Sequence, residues 1–228
     1  MDLNNILKQH DISLSEQQLS AFEKYADLLI EWNQKFNLTS ITERSDIYLK
    51  HFYDCLLPAI CFDVQGSLAD VGSGAGFPGI PLKIFKPDLK VTLIEPTGKR
   101  CTFLKEVISQ LNLKDIEVVN KRSEDYAREG HQFDIVTARA VAELNVLSEL
   151  CLPLVKKGGH FIVMKGPKAY QEIENADNAI KTLAGKYVRT EEIRLDDEQN
   201  RVLIDIEKIK NHDAKYPRNY GQIKKKPL

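Results

Sequence analysis

The sequence of 228 residues contains no apolar run of the roughly 20 residues that a membrane-spanning helix requires. Its N-terminus also lacks the basic start and the apolar stretch of a secretory signal peptide. Apolar residues make up 43% of the chain and charged residues 29%, as in ordinary globular proteins. We therefore expect a cytoplasmic protein that has no membrane partner.

Cysteine is scarce, with only Cys55, Cys61, Cys101 and Cys151 present. No two of them form a C-x-x-C pair, and no group of histidine and cysteine has the spacing of a zinc site. The sequence thus predicts no metal and reduced, mostly buried thiols. The basic pair just before Cys101 is expected to lower the pKa of that thiol, although no general base for a nucleophilic cysteine is apparent.

Net charge is nearly absent as well, at −1, but the two ends of the chain differ in sign. Residues 1–66 hold ten acidic and five basic side chains, whereas residues 208–228 hold one acidic and seven basic ones. A basic terminus on a neutral protein favours a polyanionic partner. A solvated, frayed tail explains the same composition, so composition alone leaves both interpretations open.

Only 12 glycines occur, and four of them lie within residues 70–79, which read DVGSGAGFPG. A short apolar strand ends in this segment, and Pro78 and Pro81 stand where a helix should begin. Glycine allows a sharp turn and lets a ligand approach main-chain N–H groups without a Cβ in the way. The order of strand, glycine loop and helix N-terminus predicts a nucleotide-type cofactor site in a doubly wound sheet.

The pattern of the chain changes at about residue 66. Residues 1–66 are helical by periodicity, with a capping box at Ser15 and Gln18 and a further helix over 47–57. Near-continuous apolar runs then predict parallel strands at 68–71, 91–94, 116–119, 133–137 and 161–164. Helices are predicted near 80–86, 99–111, 123–128, 141–152 and 168–184.

Two features complete the predicted α/β domain, which spans residues 67–228. Gly158 and Gly159 are interpreted as part of the turn before the fifth strand. The segments 187–195 and 201–209 flank the polar turn 196–200, and their alternating pattern predicts an antiparallel hairpin with one wetter face.

The identity of the cofactor depends on the context of the glycine loop. Residues 74–79 match G-x-G-x-x-G, and Glu95 lies about twenty residues on, as in dinucleotide-binding proteins. Three features argue against NAD: Asp70 just before the glycines, the terminal hairpin, and the lack of an evident hydride-transfer group. S-adenosylmethionine fits better, with Glu95 accepting hydrogen bonds from the ribose hydroxyls; a plain solvated acid at a strand end is the alternative for this residue.

At this point the sequence resembles the bacterial RsmG family (formerly glucose-inhibited division protein B), which methylates guanine N7 in small-subunit ribosomal RNA. The matching motifs are Trp32-Asn33, Asn37-Leu38-Thr39, His51 with Asp54, the 70–81 loop, Lys99-Arg100 with Phe103-Leu104, Thr137-Ala138-Arg139-Ala140-Val141, Lys165-Gly166, Tyr216-Pro217-Arg218, Gly221 and Lys226-Pro227-Leu228. Several separate motifs in the right order are far more specific than one glycine loop.

The resemblance implies a class I S-adenosylmethionine-dependent methyltransferase fold, Rossmann-like, with a seven-stranded sheet ending in an antiparallel hairpin and a helical N-terminal extension. It implies methylation of guanine 527 (ribosomal numbering) in 16S rRNA. Carried over by position, the cofactor-binding residues are Gly72, Gly74, Phe77, Glu95, Pro96, Thr97, Ser123, Glu124 and Arg139. Ser123 replaces the family's commoner alanine, and Glu95-Pro96-Thr97 departs from the commoner Asp-Ser-Leu type.

Methylation of N7 removes no proton in the transfer step, because N7 carries a free lone pair. The reaction therefore needs alignment rather than a general base. Arg139 and Lys165 end the fourth and fifth strands, and we expect both to be catalytic by orienting guanine or a nearby phosphate. A structural ion pair is the alternative for each. His51 and Asp54 either serve the site or fasten their helix to the core.

RNA recognition is expected along basic and aromatic side chains. The candidates are Lys99, Arg100, Lys165, Lys168, Tyr216, Arg218, Tyr220, Lys224, Lys225 and Lys226. Alternatively, the C-terminal segment packs across the cofactor domain. The expected partner is 16S rRNA, the small subunit or its assembly intermediate, bound by a monomer. Methylation of another substrate, non-catalytic RNA binding and NAD-dependent oxidoreduction remain competing functions.

Overall fold

The computed structural model of the protein describes residues 3–139, 141–195 and 199–228. Within them a single sheet holds seven strands in the order β3-β2-β1-β4-β5-β7-β6. Their bounds are β1 Ser67–Val71, β2 Lys90–Ile94, β3 Ile116–Val119, β4 Phe133–Arg139, β5 Val155–Lys165, β6 Gly185–Arg194 and β7 Asn200–Lys208. Strands β1 to β5 pair in parallel, whereas β7 runs antiparallel to β5 and β6. The predicted sheet with a terminal hairpin is confirmed.

Helices precede the sheet and connect its strands. They are α1 Leu3–Leu7, α2 Glu16–Phe36, α3 Arg44–Asp46, α4 Asp54–Cys61, α5 Gly79–Phe85, α6 Gly98–Gln110, α7 Ser123–Arg128, α8 Leu144–Cys151, α9 Ala169–Thr182 and α10 Tyr220–Lys225. A π-helix over Ile47–Tyr53 joins α3 to α4. The predicted capping box of α2 is present, since Ser15 and Gln18 bond each other's backbone N–H groups.

The core lies in two layers, one on each face of the sheet. Because strand side chains alternate, Leu68 packs into one layer while Ala69 and Val71 pack into the other. The first layer also contains buried residues of α1, α2 and α4, so the N-terminal helices and the sheet share one apolar core. The boundary at residue 66 stays a prediction.

The two glycines expected in a turn before the fifth strand lie inside β5 instead, and that prediction was wrong. Pairing jumps from Phe133 opposite Val155 to Ile135 opposite His160, so β5 carries extra residues against β4. Gly158 has a φ of +81°, a conformation typical of the bulged residue in such an irregularity. In the sequence, a bulge with two glycines interrupts the apolar run of the strand in the same way as a turn does.

No helix in the described ranges is long and apolar enough to cross a bilayer. The four cysteines are free, and three of them are buried. Burial raises the pKa of the Cys101 thiol, which donates to the Glu95 carbonyl. The expected lowering of its pKa was therefore wrong, because burial outweighs the neighbouring cations.

Candidate functional site

The glycine loop leaves β1 at the carboxyl edge of the sheet and enters α5. Gly76 has a φ of +97°, and a Cβ there would lie 2.6 Å from Ile80 Cδ1 and 2.8 Å from the Tyr25 hydroxyl oxygen. The N–H of Gly76 donates to the Ser73 carbonyl at 2.7 Å. The loop is therefore held in a shape that only glycine adopts readily.

The Glu95 carboxylate closes the loop from the end of β2. Its Oε2 accepts from the Gly74 N–H at 2.9 Å, and its Oε1 accepts from the Thr97 N–H at 2.8 Å. Glu95 is only 1% exposed, so the alternative of a solvated strand-end acid is wrong. Two oxygens offer about four acceptor positions, which leaves room for further donors at the carboxylate.

Asp70 lies beneath the same loop and is fully buried. Its Oδ2 accepts from the Gly79 N–H at 2.9 Å, while its Oδ1 and the Thr137 hydroxyl have no hydrogen-bond partner among the described residues. Asp70 and Thr137 are register neighbours on β1 and β4. Burial raises the pKa of Asp70 to about 7, so this carboxyl binds a proton more tightly when the protein is folded.

Asp70→Asn is expected to change how stability depends on pH. A raised folded-state pKa stabilises the protein below the unfolded pKa of about 4 and loses that effect as pH rises through about 7. Wild type should therefore lose up to about 1.4 kcal/mol of unfolding free energy per pH unit in this range relative to Asp70→Asn. Urea unfolding at pH 5, 6 and 7 measures the difference.

The exposed Asp63 supplies the control for that prediction. Asp63→Asn should leave the pH dependence of wild type unchanged. A difference between wild type and Asp70→Asn that is the same at pH 5 and pH 7 would contradict the assignment to Asp70.

The end of β3 forms the next part of this edge. Ser123 and Glu124 begin α7 and are buried, and burial raises the pKa of Glu124. Pro96 and Thr97, which follow Glu95, are exposed. The predicted cofactor residues on β1, β2 and β3 therefore stand at successive strand ends, where ligands bind in open α/β sheets.

Arg139 ends β4 and lies against the N-terminal helices. Its guanidinium donates to Asp54 Oδ2 at 3.0 Å, to the Lys50 carbonyl at 3.2 Å and to His51 Nδ1 at 3.0 Å. It also lies 4.8 Å from the centre of the Phe77 ring. Arg139 is thus ion-paired and still borders the cleft described below, so the two predicted roles are compatible.

Asp54 binds a second arginine that the sequence did not single out. Arg201, near the start of β7, donates through Nε to Asp54 Oδ1 at 2.7 Å and through Nη2 to Oδ2 at 3.1 Å. Asp54 is fully buried, while the two arginine side chains are 14% and 22% exposed. One carboxylate on α4 therefore fixes cations from two strands.

His51 is neutral in this arrangement. Burial and the charge of Arg139 lower the pKa of His51 to about 3. Its Nδ1 faces the guanidinium, which can only donate, so the ring proton lies on Nε2 and is donated to the Thr39 hydroxyl at 2.8 Å. The ring stacks on Phe77 with centroids 4.4 Å apart. His51 and Asp54 thus fasten the helical extension to the site.

Lys165 ends β5 and also lies in the site. Its ammonium donates to the Ala142 carbonyl at 2.6 Å and pairs with Glu172 Oε2 at 2.6 Å. Lys165 is 9% exposed. Neither the interaction with Ala142 nor that with Glu172 was apparent from sequence spacing.

A cleft of about 580 Å³ opens between the ends of β4 and β5 and the N-terminal helices. Its lining combines basic side chains with three carboxylates and a few apolar side chains: Ile41, Lys50, His51, Asp54, Arg139, Val141, Ala142, Glu143, Met164, Lys165, Gly166, Glu172, Gln199 and Arg201. Val141 connects the cleft to the glycine loop, because a Cβ on Gly72 would lie 2.8 Å from Val141 Cγ2. The cleft and the loop are therefore neighbours.

The predicted RNA-binding residues are distributed differently. Arg218 forms a bidentate pair with the fully buried Glu149, with contacts of 2.6–3.2 Å. Tyr216 packs on the second core layer, and the Arg122 guanidinium stacks 4.8 Å from the Tyr220 ring centre. By contrast, six lysine and arginine side chains are exposed: Lys99, Arg100, Lys168, Lys224, Lys225 and Lys226.

Comparisons with known proteins identify relatives over nearly the whole chain. The family model described as rRNA small subunit methyltransferase G matches residues 18–202. A Lactobacillus acidophilus protein named Ribosomal RNA small subunit methyltransferase G is 48% identical, with 97% of this chain and 96% of the relative covered.

Solved structures confirm the predicted class I methyltransferase fold. A ribosomal protein L11 methylase from Lactobacillus delbrueckii subsp. bulgaricus matches with a TM-score of 0.54 and 18% identity, covering 72% of this chain and 79% of that one. M. jannaschii TYW2 in complex with AdoMet matches with a TM-score of 0.53 and 18% identity, covering 63% and 69%.

Proposed function

The chain belongs to the rRNA small subunit methyltransferase G family, and from this membership we propose that it methylates N7 of guanine 527 (ribosomal numbering) in 16S rRNA. The family makes it an S-adenosylmethionine-dependent methyltransferase, as the sequence predicted. The observation that best supports the choice of substrate is the cleft next to the glycine loop, which Arg139 and Lys165 line. A guanine bound in this cleft would lie beside the loop proposed to hold the methyl donor.

The residues at the strand ends fit S-adenosylmethionine. Glu95 presents a buried carboxylate whose remaining lone pairs suit the two ribose hydroxyls. Because Gly72 and Gly74 lack side chains, their backbone atoms would be accessible to the cofactor. At the buried start of α7, the backbone groups of Ser123 and Glu124 would be available to hydrogen-bond the adenine. S-adenosylmethionine supplies an electrophilic methyl group on a sulfonium sulfur.

The protein's own task in this reaction is positioning. Guanine N7 attacks without losing a proton, so the reaction needs no base. His51, which is neutral and hydrogen-bonded through both ring nitrogens, is therefore not required in that role. Arg139 and Lys165 would orient the guanine or its phosphate while Asp54 keeps Arg139 in place. Alignment of two reactants can contribute about 7–11 kcal/mol to lowering a barrier.

The proposal is tested by labelled methyl transfer to a set of RNAs. We expect label in 16S rRNA or small subunits prepared from cells that lack this modification, and none in 23S rRNA or transfer RNA. Calorimetry should show binding of S-adenosylmethionine and none of NAD. Cofactor binding with no transfer to any RNA would contradict an rRNA-methylating enzyme.

RNA binding is proposed for the exposed lysines of the C-terminal segment rather than for Arg218, which would first have to leave Glu149. The triple substitution of Lys224, Lys225 and Lys226 by glutamine should weaken rRNA binding. For single-stranded RNA, the negative slope of log K against log salt should become less steep by about 0.7 for each lost phosphate contact. Filter binding at several salt concentrations measures both effects.

A matched control exists at the edge of the sheet where its parallel strands begin. The exposed Lys114, Lys157 and Lys186 lie near the starts of β3, β5 and β6, and their replacement by glutamine makes the same change in charge. Equal effects of the two triple variants would mean that charge acts nonspecifically. We further propose that the protein works as a monomer in the cytoplasm, on 16S rRNA, the small subunit or its assembly intermediate.

A further inference from the structure

Glu172 lies on α9 and reaches the wall of the cleft formed by residues 141–144. Its Oε2 accepts from the backbone N–H of Leu144 at 2.8 Å and lies 2.6 Å from Lys165 Nζ. Lys165 in turn donates to the Ala142 carbonyl at 2.6 Å. The pair of Lys165 and Glu172 therefore holds this wall at two backbone positions.

The contact with Leu144 replaces a missing helix cap. Helix α8 begins at Leu144, and its N-cap residue Glu143 makes no side-chain capping bond. Glu172 supplies an acceptor from another helix, and a carboxylate near a helix N-terminus is favourable. The start of α8 is thus fixed by a residue 28 positions further along the chain.

The wall so fixed borders both the glycine loop and the cleft. It begins two residues after Arg139, and its Val141 stands at contact distance from the backbone of Gly72. A displacement of Ala142 or Leu144 would therefore change the distance between the methyl donor and a base in the cleft. The ammonium of Lys165 has three donors, of which Ala142 and Glu172 direct two.

We propose that Glu172 is a positioning residue for methyl transfer: its charge holds Lys165 against the 141–144 wall and aims the third donor of Lys165 into the cleft. This inference rests on the proposed function, because the cleft is taken to receive the guanine. Glu172 acts in this proposal through Lys165 and the backbone of Leu144, both of which its carboxylate contacts. Its effect should therefore appear in kcat with rRNA and not in the affinity for S-adenosylmethionine.

Glu172→Gln tests the role of the charge. The amide oxygen can still accept from Leu144, so folding should be retained, but the ion pair with Lys165 is lost. We expect kcat to fall about tenfold, equivalent to about 1.4 kcal/mol, with the Kd for S-adenosylmethionine unchanged. Glu174→Gln, an exposed change on the same helix, should behave as wild type.

A double-mutant cycle distinguishes an effect of Glu172 on the position of Lys165 from a general loss of stability. If Glu172 acts through Lys165, Lys165→Met with Glu172→Gln should be no slower than Lys165→Met alone. Additive losses, or a wild-type kcat for Glu172→Gln, would overturn the proposal. Failure of the wild-type protein to methylate any rRNA would instead refute the proposed function.

Hydrogen exchange tests whether Lys165 holds the 141–144 wall, and it does so even if Glu172→Gln does not fold. In Lys165→Met the amides of residues 141–145 should exchange faster than in wild type, because Ala142 has lost its donor. Unchanged exchange in this segment would show that Lys165 does not hold the wall, and the proposal would fail.

Discussion

Replacement of Asp54 by alanine is expected to abolish methyl transfer and to lower the free energy of unfolding by about 3–5 kcal/mol. The substitution leaves Arg139 and Arg201 without the buried carboxylate that binds both. The two poorly solvated guanidinium groups, both of which line the cleft, would then repel each other. Urea unfolding and labelled methyl transfer to rRNA measure the two effects.

A surface pair provides the comparison for Asp54. Asp177 pairs with Lys181 on α9, and both side chains are more than half exposed. Asp177→Ala should cost no more than about 1 kcal/mol and leave activity unchanged. An Asp54→Ala protein with wild-type turnover would mean that neither arginine needs its observed position.

Gly76→Ala is expected to reduce the affinity for S-adenosylmethionine by at least about tenfold, or 1.4 kcal/mol. The residue has a φ of +97°, and its new Cβ would press on Ile80 and the Tyr25 hydroxyl. That hydroxyl donates to the Ala75 carbonyl within the loop. The loop that is proposed to cradle the cofactor must therefore shift, and calorimetry with S-adenosylmethionine measures the loss.

A substitution at Gly130 serves as the control that distinguishes displacement of the glycine loop from backbone strain at a positive φ. It has a similar φ of +89° but nothing within 4 Å of an added Cβ. Gly130→Ala should cost about 1–2 kcal/mol of stability from the left-handed conformation and leave cofactor affinity unchanged. If both variants bind S-adenosylmethionine as tightly as wild type, the glycine loop is not the cofactor cradle.

The strands and the glycine loop could be predicted because their signals are local. β3 was predicted at its observed bounds, and β1 and β2 differ by one residue, since a buried parallel strand is a short apolar run between turn residues. The terminal hairpin was equally visible in its alternation; the polar turn expected at 196–200 falls partly outside the described residues.

The contacts that shape the cleft could not be predicted in the same way. Asp54 and Arg201 are 147 residues apart, and no local pattern shows that α4 meets β7. The cap that Glu172 places on α8 likewise depends on how two helices pack. The signal that could have found Arg201 is its position at the start of an apolar strand, since arginine is almost never fully buried without a partner.

The C-terminal segment shows the limit of reading charge alone. Its net positive charge is consistent with RNA binding, yet Arg218 is directed inward to Glu149 and Ile223 of α10 is fully buried. Part of this segment therefore packs on the catalytic domain, as one of the two alternatives anticipated. The exposed lysines 224–226 keep the other alternative as a proposal.

The most direct test of the account is to map the methylated atom. 16S rRNA lacking the modification would be treated with the protein and S-adenosylmethionine, then with borohydride and aniline, which cleave at N7-methylguanine. The account predicts one new cleavage, at guanine 527, that requires both protein and cofactor. Incorporation of labelled methyl without cleavage at that guanine would contradict it.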